Sequence, residues 1–222
     1  MEKIEDFTGS PEIAAKTTDW DSYYAKPASA ARFTRKISER KILKLLRAFL
    51  DQETPSIAEL GGANSCFVDA IVSGIRPKSY VAIDNNAFGL SLLEKRYPPP
   101  NVVQGKLGDA LNLPAPKECY DAVFSIGLIE HFDTDGTAAC IKAHFDICKK
   151  GGIVLIAFPT PTLLYRAIRG FAEITNNWHF HDERPLHFLE VESVSKRSGA
   201  LVHRSTNWAI GLTQGYLVYR KQ

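Results

Sequence analysis

The chain has no window of eighteen consecutive apolar residues, so no segment of it is expected to span a membrane. Met1 to Ser10 is acidic and polar and lacks the apolar run of a secretory leader. Cysteine is sparse. Cys66, Cys119, Cys140 and Cys148 show no metal or redox spacing, and they are expected to be reduced thiols of a cytoplasmic protein. Cys140 and Cys148, eight apart, are expected on the buried side of one helix. Neither sign of charge dominates: the net charge is +2, which demands no particular partner. The Gly-x-Gly-x-x-Gly turn of dinucleotide sites is missing, which speaks against a nicotinamide-dependent oxidoreductase. No ligand set for a metal stands out. What remains is 222 residues, 45% apolar and 23% charged, an ordinary soluble composition for one domain with a sizeable core.

One stretch organises the rest. Ser56-Ile57-Ala58-Glu59-Leu60-Gly61-Gly62-Ala63-Asn64-Ser65 reads as a buried strand, a turn of small residues and the start of a helix. Phe67, Val68, Ile71, Val72 and Ile75 then recur at helical spacing, and Asn64 and Ser65 are capping types. Small side chains let a ligand approach the backbone, and a helix start offers unpaired N–H groups. Such a turn is a common nucleotide cradle.

In chain order, residues 1–28 are polar and turn-rich, apart from Trp20-Asp21-Ser22-Tyr23-Tyr24. Residues 29–51 read as a helix, apolar on one side, with Arg32, Lys36, Arg40, Lys44 and Arg47 as a basic stripe on another. That stripe is either a solvated face or a peripheral contact for an acidic acceptor or anionic membrane surface. Without interleaved aromatics it disfavours nucleic acid. Strands are expected at 56–60, 79–83, 101–104, 120–125 and 153–158, separated by helices near 86–97 and 134–150, with Gly151-Gly152 ending the second. This alternation is that of an α/β fold with a parallel sheet and helices on both faces. Residues 159–186 form an insertion. It holds a short amphipathic helix (Leu163, Leu164, Ala167, Ile168, Phe171) and the dense run Asn176 to Arg184. A helix at 188–198 ended by Gly199 precedes two strands, Leu201–Trp208 and Gly215–Arg220, expected as an antiparallel pair.

Four elements fall at the carboxyl ends of successive strands, where α/β folds bind ligands. They are the Glu59–Ser65 turn, Asp84, Gly108-Asp109-Ala110, and Ser125-Ile126-Gly127-Leu128-Ile129-Glu130-His131-Phe132. Asp84 can accept both hydroxyl protons of a ribose, and Asp109 an exocyclic amine such as that of adenine.

Together these residues resemble a class I S-adenosylmethionine-dependent methyltransferase over roughly residues 56–220. The family pattern acid-x-Gly-x-Gly-x-Gly is met by Glu59, Gly61, Ala63 and Ser65, two glycines having become other small residues. Val81-Ala82-Ile83-Asp84 resembles the second motif, Gly108-Asp109-Ala110 the third, and Tyr120 to Phe132 the fourth and its continuation. Lys149-Lys150-Gly151-Gly152-Ile153 resembles the lead into the fifth strand. The resemblance implies a Rossmann-like, seven-stranded, mostly parallel sheet with an antiparallel C-terminal strand. It implies S-adenosyl-L-methionine as cofactor and S-adenosyl-L-homocysteine as product. Glu59 would orient the turn and, through water, the cofactor amine; Gly61, Gly62, Ala63 and Asn64 would border the methionine part, Asp84 would hold the ribose and Asp109 the adenine amine, with Asn85 and Ala110 also at the cofactor. Ser125, Ile126 and Leu128 would flank the reactive end. The first run is also similar to methyltransferases found with bacterial surface-polysaccharide synthesis, which implies a sugar, nucleotide-sugar or lipid-linked acceptor.

Methyl transfer is an in-line attack on the sulfonium methyl, so the protein mainly positions. An oxygen acceptor also needs a base. His131 is the first candidate, with a helix-start or packing role as its alternative, followed by His179 and His181. Tyr23, Tyr24, Trp178 and Phe180 are candidates for the acceptor walls. The division expected is an arm and helix over residues 1–55 capping the site, and a cofactor-binding domain over 56–222 with a lid at 159–186. The departures at Ala63 and Ser65 leave a catalytically silent binding or scaffold protein as the competing reading.

Overall fold

A computed structural model describes residues 17–25, 31–113 and 117–222. Residues 1–16 and 26–28 of the expected polar stretch, and residues 29–30 of the expected helix, lie outside the described residues. The elements run α1 (Trp20–Ala25), α2 (Ala31–Phe49), β1 (Ser56–Leu60), α3 (Val68–Ile75), β2 (Ser79–Asp84), α4 (Ala87–Arg96), β3 (Val103–Leu107) and β4 (Tyr120–Ile126). They continue with α5 (Thr134–Ile147), β5 (Cys148–Pro159), α6 (Leu163–Ile174), α7 (Phe188–Ser195), β6 (Gly199–Asn207) and β7 (Gln214–Lys221).

The sheet has seven strands in the order β3-β2-β1-β4-β5-β7-β6. Strands β1 to β5 pair in parallel, and β7 runs antiparallel between β5 and β6. The order reverses between β1 and β4, the crevice at which such sheets take ligands. Side chains alternate across β5, as the two-residue period of a strand requires. Ile153, Leu155 and Ala157 join the core under α2, α3 and α4. Val154, Ile156 and Phe158 join the core under α5 and α7. Helix α2 supplies Ile42, Leu45 and Leu46 to the first of these cores.

Several boundaries differ from the sequence pattern. Helix α3 begins at Val68, with Phe67 at its N-cap and no side-chain cap; Asn64 and Ser65 belong to the preceding turn. Strand β3 lies two to three residues later than expected. Helix α5 ends at Ile147, and Gly151-Gly152 sits inside β5 instead of ending the helix. Cys148 is buried as expected, but it opens the strand. The reason is local. A Cβ on Gly152 would come 2.8 Å from the Asp121 carbonyl oxygen, so glycine lets β5 approach β4 where their register shifts. Gly199 likewise opens β6 after α7 has ended at Ser195.

Candidate active site

Glu59 alternates with Ala58 and Leu60 and so points to the α2–α3–α4 side of β1. It is buried, at 3% exposure. Tyr80 donates to its Oε2 and Ser65 Oγ donates to its Oε1 at 3.0 Å. Burial pushes this carboxyl up to about 7, against the pull of those two hydrogen bonds. The turn closes tightly over it. A Cβ on Gly62 would meet Glu59 Cγ at 2.8 Å, and one on Gly61 would meet Leu128 Cδ1 at 2.9 Å. Gly61 also has φ +72°, which only glycine adopts without strain.

Asp84 closes β2 and is buried. Its Oδ2 accepts the Ala63 N–H at 3.0 Å and its Oδ1 the Asn86 N–H at 2.8 Å. Burial raises this carboxyl despite those bonds. Asn85 beside it is exposed. Asp109, after β3, is exposed and caps the Leu111 N–H at 2.9 Å, with Ala110 half-buried next to it. Ile126 and Leu128 are half-buried at the end of β4. Ser125 alternates with Phe124 and turns toward α5, where its hydroxyl bonds Nε2 of the buried His144 at 2.8 Å. Nδ1 of His144 bonds the Cys140 carbonyl at 2.7 Å, so Nδ1 carries the proton and Ser125 donates to Nε2.

Helix α1 lies across this edge of the sheet. The Tyr24 hydroxyl donates to Asp84 Oδ2 at 3.4 Å, and the Asn64 amide reaches the Tyr24 carbonyl at 3.4 Å. Trp20 stacks on Tyr24 at 5.9 Å and meets His131 edge-on at 4.9 Å. Phe180 closes the group, 5.3 Å from Tyr23 and 6.0 Å from His131. Tyr23, Tyr24, Phe180 and His131 are therefore brought together, with Trp20 at their centre. Trp178 is one layer back, 8% exposed, its indole N–H bonded to the Phe180 carbonyl and its ring under Arg169. His179 and His181 are exposed.

His131 ends a short 3₁₀ turn, Ile129–His131, after β4. Its Nδ1 faces Asp182 Oδ1 at 3.1 Å, and Thr18 donates to the same carboxylate oxygen. Burial holds the imidazole below its ordinary value, outweighing Asp182. Burial works upward on Asp182, but the Thr18 hydrogen bond and His131 hold it low. Neighbouring Glu130 is 1% exposed, and its Oε2 has no hydrogen-bond partner among the described residues. Burial, then the negative charges of Glu183 and Asp182, push Glu130 well up. Glu183 takes a hydrogen bond from Tyr165, and burial moves it up to about 6. Glu130, His131 and Glu183 each place one ligand-capable atom within 4.8 Å of the others.

The sequence pattern missed Trp20 as the hub, Tyr80 as the partner of Glu59, and the whole Thr18–Asp182–Glu183 contribution. Glu59 and Tyr80 are 21 positions apart, and Thr18 and Asp182 are 164 apart, separations that no local spacing records. The high density of aromatic and charged residues at 176–184 was the one available signal. On the outer face of α2, Arg40, Leu43, Lys44, Arg47 and Ala48 line a shallow depression beside α3. The side chain of Arg32 lies outside the described residues. No helix among them is long and apolar enough to cross a membrane.

Residues 59–156 match the model of a methyltransferase domain. A comparison of the sequence with curated proteins finds no match. Among solved structures, the chain resembles magnesium protoporphyrin IX methyltransferase from Synechocystis PCC 6803 with bound S-adenosylhomocysteine (TM-score 0.69, 11% identity, 91% of this chain and 93% of that one). It also resembles the N-methyltransferase NodS from Bradyrhizobium japonicum WM9 in complex with S-adenosylhomocysteine (TM-score 0.63, 14% identity, 90% and 92%). A third is the CurJ carbon methyltransferase (TM-score 0.63, 12% identity, 90% and 57%). At such identities these likenesses establish the fold, while the matched domain carries the chemistry. Residues 59–156 are thus matched as a methyltransferase domain, carried on the Rossmann-like fold of S-adenosylmethionine-dependent methyltransferases.

Proposed function

We propose that the protein methylates a hydroxyl of a small-molecule acceptor held between His131 and the aromatic roof of Trp20, Tyr23, Tyr24 and Phe180. The observation that carries this reading is the His131–Asp182 contact beneath that roof. Burial keeps the imidazole neutral, and a carboxylate at Nδ1 fixes its orientation. A neutral, oriented imidazole can take the proton that a hydroxyl acceptor must lose. The aromatic roof would exclude water from the sulfonium methyl.

In this reading Asp84 binds the ribose hydroxyls, Asp109 and Ala110 meet the adenine, and the Gly61–Asn64 turn borders the methionine portion. Leu128 packs on Gly61 and would flank the reacting methyl with Ile126. The roof's stacking faces suit a sugar, nucleotide-sugar or lipid-linked glycan, and the resemblance to methyltransferases of surface-polysaccharide synthesis supports that class. The cytoplasm is the expected compartment.

The catalytically silent alternative has one observation in its favour. The Tyr24 hydroxyl already rests on Asp84, in the place the ribose would take. Calorimetry with S-adenosylhomocysteine separates the two, followed by transfer of labelled methyl from S-adenosylmethionine to a panel of hydroxylated acceptors. Cofactor binding with no transfer to any hydroxyl would favour the silent reading.

A further inference from the structure

Glu130 presents a problem that protein contacts do not solve. Its carboxylate is 1% exposed, and Oε2 has no donor among the described residues. A buried lone carboxylate is costly unless it is neutralised or paired. The nearest charged groups worsen the position, because Glu183 and Asp182 are both acidic. Arg184 uses its two terminal nitrogens on Glu190 at 2.7 Å and Thr137 at 3.1 Å, and its buried Nε has no partner among the described residues, Glu130 included. Arg169 sends its N–H to the Glu183 carbonyl, not to a carboxylate of this group.

The same place collects donors suited to a metal ion. Glu130, His131 and Glu183 each bring a ligand-capable atom within 4.8 Å of the other two. Asp182 engages Nδ1 of His131, which leaves Nε2 as the ring nitrogen to ligate. A carboxylate behind an imidazole is the usual support of a metal-binding histidine. Tyr165 donates to Oε1 of Glu183 and fixes that side chain while leaving its second oxygen. The first ligand candidate comes from β4's end and the last from the insertion after β5, so an ion here would tie the lid to the sheet.

We infer that Glu130, His131 and Glu183 form a site for a divalent first-row metal ion, of the Mn2+ or Zn2+ class, that the acceptor oxygen completes. One imidazole with two carboxylates is a donor set those ions share, and three protein donors leave positions open, as catalytic metal sites do. This deepens the proposed function and rests on it only for the acceptor. With an ion bound, His131 would hold the ion and the ion would acidify the coordinated hydroxyl, which releases its proton to solvent, so the ion takes over the base role given to His131 above.

The test is calorimetry on the full chain, stripped with a chelator and titrated separately with MnCl2, ZnCl2 and MgCl2. One Mn2+ or Zn2+ ion per chain is expected, with Glu130→Gln and Glu183→Gln each weakening it roughly tenfold or more. Melting curves of the metal-free variants control for folding; Glu130→Gln keeps the side-chain volume and removes the lone charge. If Glu130→Gln fails to fold, Glu183→Gln carries the comparison. Absence of saturable binding by the native chain, or binding that survives Glu183→Gln, overturns the site. S-adenosylhomocysteine binding is read in the same samples without metal. Its loss would count against the cofactor assignment, and its persistence beside absent metal binding would count against the ion alone.

Discussion

Ser65 Oγ donates to Oε1 of Glu59 at 3.0 Å, and the same oxygen accepts the Phe67 N–H at 3.2 Å. The residue that breaks the glycine pattern of the turn after β1 therefore has two partners that a glycine has no side chain to supply. It helps hold a buried carboxylate and serves the backbone just ahead of α3. Ala63 departs differently. Its Cβ lies 2.7 Å from where a Cβ on Gly89 would sit, so the glycine has in effect moved to the facing helix α4.

Ser65→Gly should consequently cost stability, although it restores the family's pattern. Losing the buried hydrogen bond to Glu59 and the bond to Phe67 should lower unfolding free energy by about 1–3 kcal/mol. Denaturant melts check this. A more stable variant would show that Ser65 is a tolerated substitution and not an anchor.

Asp84 and Tyr24 make the second case. Asp84→Ala should weaken S-adenosylhomocysteine by about 1–3 kcal/mol if its buried carboxylate accepts the ribose hydroxyls. Tyr24→Phe should act in the opposite direction, tightening the ligand up to roughly threefold, because the hydroxyl on Asp84 no longer has to be displaced. Calorimetry reads both. Weaker binding in Tyr24→Phe would mean that the tyrosine bonds the cofactor instead of competing with it.

How far the chain could be read before folding depended on whether the information was local. Strand β1 and its turn were legible because a short buried run, small residues and the following helical period all sit within about twenty positions. The end of α5 was not. Gly151-Gly152 reads as a helix stop, yet the glycine is needed for the backbone of β5 to pass Asp121, a contact across thirty residues. The amphipathic period of α6 was legible but not its direction. Leu163 and Ile174 are 86% and 83% exposed, and Tyr165 alone is buried, held by its bond to Glu183. For the site, the acids at strand ends were visible, whereas the pairing of His131 with Asp182 depends on where the insertion folds back.

The Ser125–His144 pair gives a pH prediction. His144 is fully buried, and burial depresses it from 6.5 to about 4. Between those values the unfolded chain binds a proton that the folded chain rejects. Its stabilising contribution is thus complete above pH 6.5 and is lost as the pH falls toward 4, to the extent of about 3 kcal/mol. Glu59 has the opposite sign: its carboxyl is raised to about 7, so its contribution falls as the pH rises through that value. Comparing native chain with His144→Gln isolates the first effect. The native chain should lose melting temperature more steeply than the variant between pH 6.5 and 4.5; parallel curves would mean that His144 carries no linkage.

His131 and Asp182 separate positioning from reaction. His131→Ala should lower turnover more than about tenfold while leaving S-adenosylhomocysteine affinity nearly unchanged, because the imidazole contacts Trp20, Phe180 and Asp182 and makes no bond to Asp84. Asp182→Asn keeps the shape and can still meet Nδ1, but it offers no charge to the ring. It should give a smaller loss, about three- to tenfold, with KM little altered. Turnover at saturating cofactor, measured beside calorimetric affinity, checks both. Equal losses of affinity and turnover in His131→Ala would return the residue to a purely structural part, in which the edge-on contact with Trp20 merely keeps α1 seated over the sheet.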